Sequence, residues 1–508
     1  MKLLIERCSF WPDGSGSVLV SEGLVEGVSQ DETLPASDGT VRLDAAGGTL
    51  LPGLVDSHCH PFELGWLKRN VDLRGTGNIT ALRLRVSGKA QRSAPGDWVV
   101  GMGWDQEALS ERRFPNRWDL DDITPQNPVI LGRVCGHIGL VNTRAIEALG
   151  LEAHVSEEYE RDASGTLTGI VKERALVGAY ARLPGKSAAT CIADISSVEV
   201  DASKLGLTSL HTIVSQDEFK EELEALSLLQ REGRLLLKHR VYIPPDAVDY
   251  VGRLGSRLNS EGAKINGIKL YADGSLGART AALREPYSDD PANSGLLRYT
   301  DEELTTLAND ADSKGYQVIV HAIGDRAVEQ TIAALAPLTG RGNPRRHRIE
   351  HASLLPKELR SKVKKHDIRV AVQPSFIVSD TWARQRLGED RTEDLYPLRS
   401  LMKDGILTSA GSDAPVETLN PLIGMWAAMV RAGYGAREVL DTQQAVAMYT
   451  TNGASNGHDK AVARVSAGIT ADLTLLDSDI RDMHPALLRK VAVLATIVGG
   501  RLAHSYAA

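Results

Sequence analysis

The sequence predicts an α/β protein: a (β/α)8 or TIM barrel, a small β-sandwich domain formed from both termini, and a long insertion after the first barrel strand. Three observations predict it. The main body holds eight short apolar runs, most ending in polar or ligand-capable residues and most followed by a helix-like stretch. Short strand-like segments broken by Gly, Ser and Asp occur at both ends of the chain. The stretch between the first and second of the eight runs is too long to lack structure of its own. The expected boundaries are 1–50 plus 462–508 for the β-domain and 51–461 for the barrel, with 64–202 as an insertion or lid.

Composition narrows the functional classes. The 508 residues are 42% hydrophobic and 24% charged, with a net charge of −8, the balance of a soluble globular protein. Without a long basic run, nucleic acid is not the expected partner; a small-molecule substrate is. The opening MKLLIERCSFWPDG is interrupted by Glu6 and Arg7, unlike a secretory leader, and no apolar segment is long enough to span a bilayer. Cys8, Cys59, Cys135 and Cys191 are scattered without CxxC spacing, which argues against a zinc ribbon or disulfide framework. The expectation is a cytoplasmic protein with no membrane partner, and a homo-oligomer is left open.

Taken in order, SVLVSEGLV and VRLDAAGGTLL near the start, and ADLTLLDSD and VLATIVGGRLAHS near the end, read as strands that pair into one small domain. The eight barrel runs are Gly53 to His58, Leu207 to Thr212, Leu236 to Ile243, Ile265 to Asp273, Tyr316 to His321, His347 to His351, Ile368 to Ser375 and Leu407 to Asp413. Between them, DEFKEELEALSLLQREG and DEELTTLANDADSKG start acidic and end at Gly, as helix caps and the macrodipole favour. The insertion carries three strand-like pieces, WVVGMGW, PVILGRVCGHIGLVN and GTLTGIVKE. An insertion at this point of a barrel rises from its C-terminal face, where active sites form.

His58 and His60 in LPGLVDSHCHP are one residue apart, so on a strand both rings share a face and can reach one metal ion, while Cys59 points away. Three more strand ends carry ligand-type residues: His321 in VIVHAIGD, His351 in RIEHAS and Asp413 in SAGSDAP. Each alone has a structural alternative as a hydrogen-bonded core residue; together the barrel puts them on one rim, where they would make a divalent metal site. Lys269 in NGIKLYADGSL reads as a salt-bridging lysine or as a buried one. A buried lysine has a lowered pKa and a free amine that can add carbon dioxide to give an anionic carbamate.

This order of parts, His-x-His, Lys, His, His and Asp on strands one, four, five, six and eight, closely resembles the amidohydrolase superfamily. The segments LYADGSLGARTAAL, IVHAIGDRAV, RIEHASL and SAGSDAPVETLNPL resemble its amidohydrolase family 3 branch, which includes N-substituted formamide deformylase. The resemblance implies two divalent metal ions, usually zinc. His58, His60, Lys269 and Asp413 would hold the more buried one, and carboxylated Lys269, His321 and His351 the more exposed one. It also implies hydrolysis of an amide C–N bond in an N-acyl or N-formyl amine, with Asp413 as general base. A lactone or ester hydrolase using the same centre is the alternative, and a non-catalytic scaffold a third reading.

Further residues are expected around this set. His137 would hydrogen-bond the substrate carbonyl; Trp104, beside Asp105, would face substrate or close the core of the lid. Asp273, Ser275 and Arg279 follow Lys269 and would orient the carbamate or meet the substrate, with Asp325 in support. Glu350 should face outward, being next to His351. His211 ends the second strand with Thr212 after it, where relatives more often have an aspartate.

Overall fold

The computed structural model describes residues 2–30, 34–35, 37–134, 137–154, 156–340, 342–431 and 435–506, so Cys135 lies outside the described residues. Its central element is a sheet of eight parallel strands: β1 (Leu54–Cys59), β2 (Leu207–Ile213), β3 (Lys238–Ile243), β4 (Ala263–Tyr271), β5 (Gln317–Ala322), β6 (Arg348–His351), β7 (Arg369–Val372) and β8 (Thr408–Ala410). Each pairs with the next in chain order. The ring closes just beyond β8, where Asp413 N donates to His58 O at 2.7 Å and His60 N to Ala414 O at 2.8 Å. Gly411 is required there: a Cβ on it would come within 2.4 Å of His58 N. Each of the eight predicted barrel runs overlaps one strand of this sheet, although β7 and β8 stop at Val372 and Ala410 rather than at Ser375 and Asp413.

Local chemistry explains the helices between strands. Thr300 and Glu303 form a reciprocal capping box that starts the helix Asp301–Ser313, and Asp441 with Gln444 does the same for Thr442–Tyr449. The helices Phe219–Arg231 and Asp301–Ser313 are followed by Gly233 and Gly315 at φ +65 and +90, the left-handed conformation that ends a helix with least strain in glycine.

Strands from both termini join one sheet of eight, as expected of their pairing. Leu473–Leu476 runs antiparallel to Thr49–Pro52, which leads through Gly53 into β1. The strand Leu3–Phe10 bonds to Ser15–Ser21, to Val41–Asp44 and to Thr49–Pro52, so hydrogen bonds link every terminal strand into a single branched sheet. Its core includes Leu3, Ile5, Val18, Leu50, Leu473 and Ile497. By contacts, residues 1–62 and 195–508 form one compact unit that contains this sheet and the barrel; 63–194 form a second.

The second unit has its own six-stranded sheet, in the order Tyr159–Arg161, Leu167–Lys172, Ile138–Val141, Val129–Arg133, Val99–Trp104 and Val71–Asp72. All three predicted pieces are there, but PVILGRVCGHIGLVN divides into two antiparallel strands. The unit ends at Asp194, inside the helix Ala188–Lys204, rather than at residue 202. Cys8, Cys59 and Cys191 are buried, and none of them is in a disulfide. Among the described residues, no helix is long and apolar enough to cross a membrane.

Candidate active site and metal centre

His58 and His60 stand at the end of β1 with ring centroids 5.6 Å apart. Asp413, three residues past β8, places Oδ1 3.3 Å from the Nε2 of each. The ligand atoms of these three residues lie within 4.8 Å of one another, the spacing one cation needs. Lys269 on β4 has its Nζ 3.3 Å from His58 Nε2. The His351 ring lies 4.9 Å from His58 and 4.4 Å from His321, centroid to centroid. The barrel rim therefore gathers all six residues expected as ligands.

Hydrogen bonds select the ring nitrogen each histidine offers. His58 Nδ1 is held by the Glu350 carboxylate, leaving the Nε2 lone pair toward Asp413. His321 Nε2 donates to Gly274 O at 3.0 Å, leaving Nδ1. His351 is 2% exposed and its Nδ1 has no partner among the described residues. Such an orphaned buried nitrogen, beside two other imidazoles and a carboxylate, fits a divalent metal. Burial pushes His321 down to about 3, and His351 well below its ordinary range, so both are neutral donors. Burial likewise lowers the Lys269 amine to about 8. Two of the six, His351 (φ 68) and Asp413 (φ 56), occupy the left-handed region, which for such residues costs about 1–3 kcal/mol each and persists only where the surrounding structure over-determines it.

The expectation that Glu350 faces outward is corrected by the structure. It is fully buried, shares a face with Arg348 two residues earlier, and receives Arg348 Nε and His58 Nδ1 on its two oxygens. Strict strand alternation fails because the backbone leaves the extended conformation at His351 and Ala352 (φ 46), bringing consecutive residues to the same side. Burial alone would raise the Glu350 carboxyl, but Arg348 and His58 hold it well below the usual carboxylate range.

The remaining expected residues are placed as follows. Asp273 is 1% exposed and accepts backbone N–H groups from Ile323, Gly324 and Ala282 at 2.9–3.0 Å. It thus fixes the loop after His321, and its expected contact with substrate gives way to positioning. Arg279 pairs with Asp289 at 2.9 Å instead of lining the cavity, which this loop does with Ser275, Leu276 and Gly277. Asp325 accepts from Arg284 N at 3.0 Å, bracing the same loop. His211 is packed inside the barrel, its Nδ1 accepting from Arg348 at 3.1 Å, and Thr212 bonds His239. In the insertion, Trp104 is fully buried in that unit's own core and donates to Leu131 O at 2.8 Å, a structural role rather than the expected substrate contact. Asp105 pairs with Arg133 at 2.8 Å. His137 is exposed, 3.2 Å from Glu173.

A cavity of about 320 Å³ opens beside His321 and Asp413. Its walls are mainly apolar, with Leu276, Phe376, Trp382 and Tyr396. Three of these follow β7, in a loop that holds no histidine and whose charged residues follow no ligand-like spacing; the available signal was its position, since the loops after barrel strands build the site. Gln373, just past β7, was also missed: it is 2% exposed and neither amide atom has a partner among the described residues.

Comparison with known proteins agrees with this geometry. Residues 42–504 match the model of the Amidohydrolase family. YtcJ of Bacillus subtilis (strain 168) is 30% identical, over 97% of this chain and 96% of that protein. N-substituted formamide deformylase of Arthrobacter pascens is 27% identical, over 96% of this chain and 94% of that enzyme. The crystal structure of an uncharacterized metal-dependent hydrolase from Pyrococcus furiosus superposes with a TM-score of 0.81 at 31% identity, covering 95% of this chain and all of that one. With the rim histidines and Asp413 in one cluster, the chain belongs to the Amidohydrolase family of metal-dependent hydrolases.

Proposed function

We propose that the protein hydrolyses the C–N bond of a small N-acyl or N-formyl amine at a binuclear centre. The observation that carries this is the convergence of His58, His60 and Asp413 with Lys269, His321 and His351 on one rim beside an apolar cavity. The likeness to a formamide deformylase supports the amide as the bond cut. His58, His60, Lys269 and Asp413 would hold one ion and Lys269, His321 and His351 the other, zinc being our choice. Such ions, when bound, acidify water and polarise a carbonyl.

The protein's own groups do the rest. Lys269 is 2% exposed, and its lowered amine pKa leaves a free-base fraction able to add carbon dioxide, forming an N–C bond and releasing a proton. The resulting carbamate would supply two oxygens sharing one negative charge in place of a cation. Burial would raise the Asp413 carboxyl, but His58, His60 and His351 hold it well below the ordinary range, so it is ionised and able to accept a proton. Asp413 takes the proton from the attacking water and delivers it to the leaving amine nitrogen. Glu350 keeps His58 in the tautomer whose Nε2 faces the centre.

The test is turnover of formamides, acetamides, lactones and esters of matched size by metal-loaded protein, followed by amine or acid release. Amine release from the amides is expected. Turnover of lactones or esters alone would transfer the assignment to them, and no turnover of either class at full metal content would overturn it.

A further inference from the structure

The cavity beside His321 and Asp413 contains a charge that its apolar walls do not explain. Asp380, half-buried, lines it with Phe376, Trp382 and Tyr396. Among the described residues its hydrogen-bond partner is the Tyr396 hydroxyl, and the charged neighbour acting on it is another carboxylate, Glu417. Arg386 stacks on Trp382 at 5.6 Å, but its guanidinium is bound by Asp289. A second observation also points to a ligand. Ser353 lines the same cavity, is 1% exposed, and its Oγ has no partner among the described residues.

We propose that the substrate arm entering this cavity carries a protonated amine, and that Asp380 selects it. A neutral apolar arm would shut a carboxylate into an apolar space without a counter-charge, which is costly. An anionic arm would meet Asp380 and Glu417 together. A protonated amine satisfies the carboxylate, and the aromatic rings of Phe376, Trp382 and Tyr396 that line the cavity give it further cation–π partners to meet. Ser353 Oγ would accept one more N–H. Trp382 is held in place from behind, because a Cβ on Gly277 would sit 3.2 Å from its ring, so the indole packs directly on the loop after β4. Burial raises the Asp380 carboxyl to about 6, and it is therefore charged at pH 8.

This inference rests on the amide-hydrolase reading only in placing a substrate there, and two measurements keep the two apart. The first is calorimetric binding of benzylammonium and of benzyl alcohol to the metal-loaded protein at pH 8. Benzylammonium should bind about tenfold or more tightly, as a charge-assisted bond requires, and Asp380→Asn should bring the two together. The second is the ratio of kcat/KM for N-(4-aminomethylbenzyl)formamide over N-(4-ethylbenzyl)formamide within one sample, in which a general loss of activity cancels. It should exceed about ten and fall toward one in Asp380→Asn. Equal binding of the two probes by the wild type, or a preference that survives in Asp380→Asn, would overturn the proposal. Cation preference without cleavage of either formamide would leave it standing and remove the amide assignment instead.

Discussion

Replacing Glu350 by Gln tests the buried support of the centre with little change of volume. The carboxylate accepts from two donors, Arg348 Nε and His58 Nδ1, and is fully buried. An amide presents one oxygen and one NH2, so it can satisfy only one of them. If the oxygen faces Arg348, the NH2 faces His58 Nδ1, which must then accept, moving the ring proton to Nε2. That nitrogen is the one 3.3 Å from Asp413 Oδ1, and it loses the lone pair a metal needs. Loss of such an orienting partner lowers metal affinity by about 10- to 100-fold. Arg348, fully buried as well, is left without its counter-ion, and breaking a buried pair in this way costs about 3–5 kcal/mol. Competition against a chelator reads the first effect and the urea unfolding midpoint reads the second. The pH dependence follows from the depressed Glu350 pKa: its contribution is present above the ordinary value of 4.5 and is lost as pH falls below it toward the folded value. A Glu350→Gln protein that held metal and unfolded like the wild type would refute this reasoning.

Three further outcomes are expected. Asp413→Asn keeps an oxygen near the histidines but removes the base, so turnover should fall by about 10²-fold or more while metal content changes less; near wild-type turnover would exclude the assigned proton transfer. Lys269→Ala should lose metal and nearly all activity, with partial recovery of both on adding short carboxylates; full metal content without them would take Lys269 out of the site. Gly411→Ala drives a Cβ to 2.4 Å from His58 N and 2.8 Å from Asp56 Oδ1, and the overpacking should lower stability by about 1–3 kcal/mol, seen as an earlier urea midpoint with weakened metal retention.

The convergence of these six residues was legible because it rests on period and position. His-x-His on a strand, and single ligands at the ends of others, converge once the strands close into a ring. Glu350 was misread for a related reason: alternation is a rule of extended backbone, and nothing in RIEHAS announces the left-handed turn at His351 and Ala352. Trp104 suggests a substrate contact because it ends a strand-like run beside glycines, and Asp273 because it follows Lys269 on the rim; their partners, Leu131 O and the N–H groups of Ile323, Gly324 and Ala282, are fixed only by tertiary packing. Asp380, Trp382 and Tyr396 carry no spacing of their own, and only the folded loop brings them to one wall.

The most direct measurement of the central claim is elemental analysis of protein prepared without chelator and then supplemented with divalent metal. Six donors arranged as two overlapping sets predict close to two equivalents per chain, bound tightly enough to survive desalting. One equivalent would reduce the centre to a single ion held by His58, His60 and Asp413, and a content near zero would contradict the account.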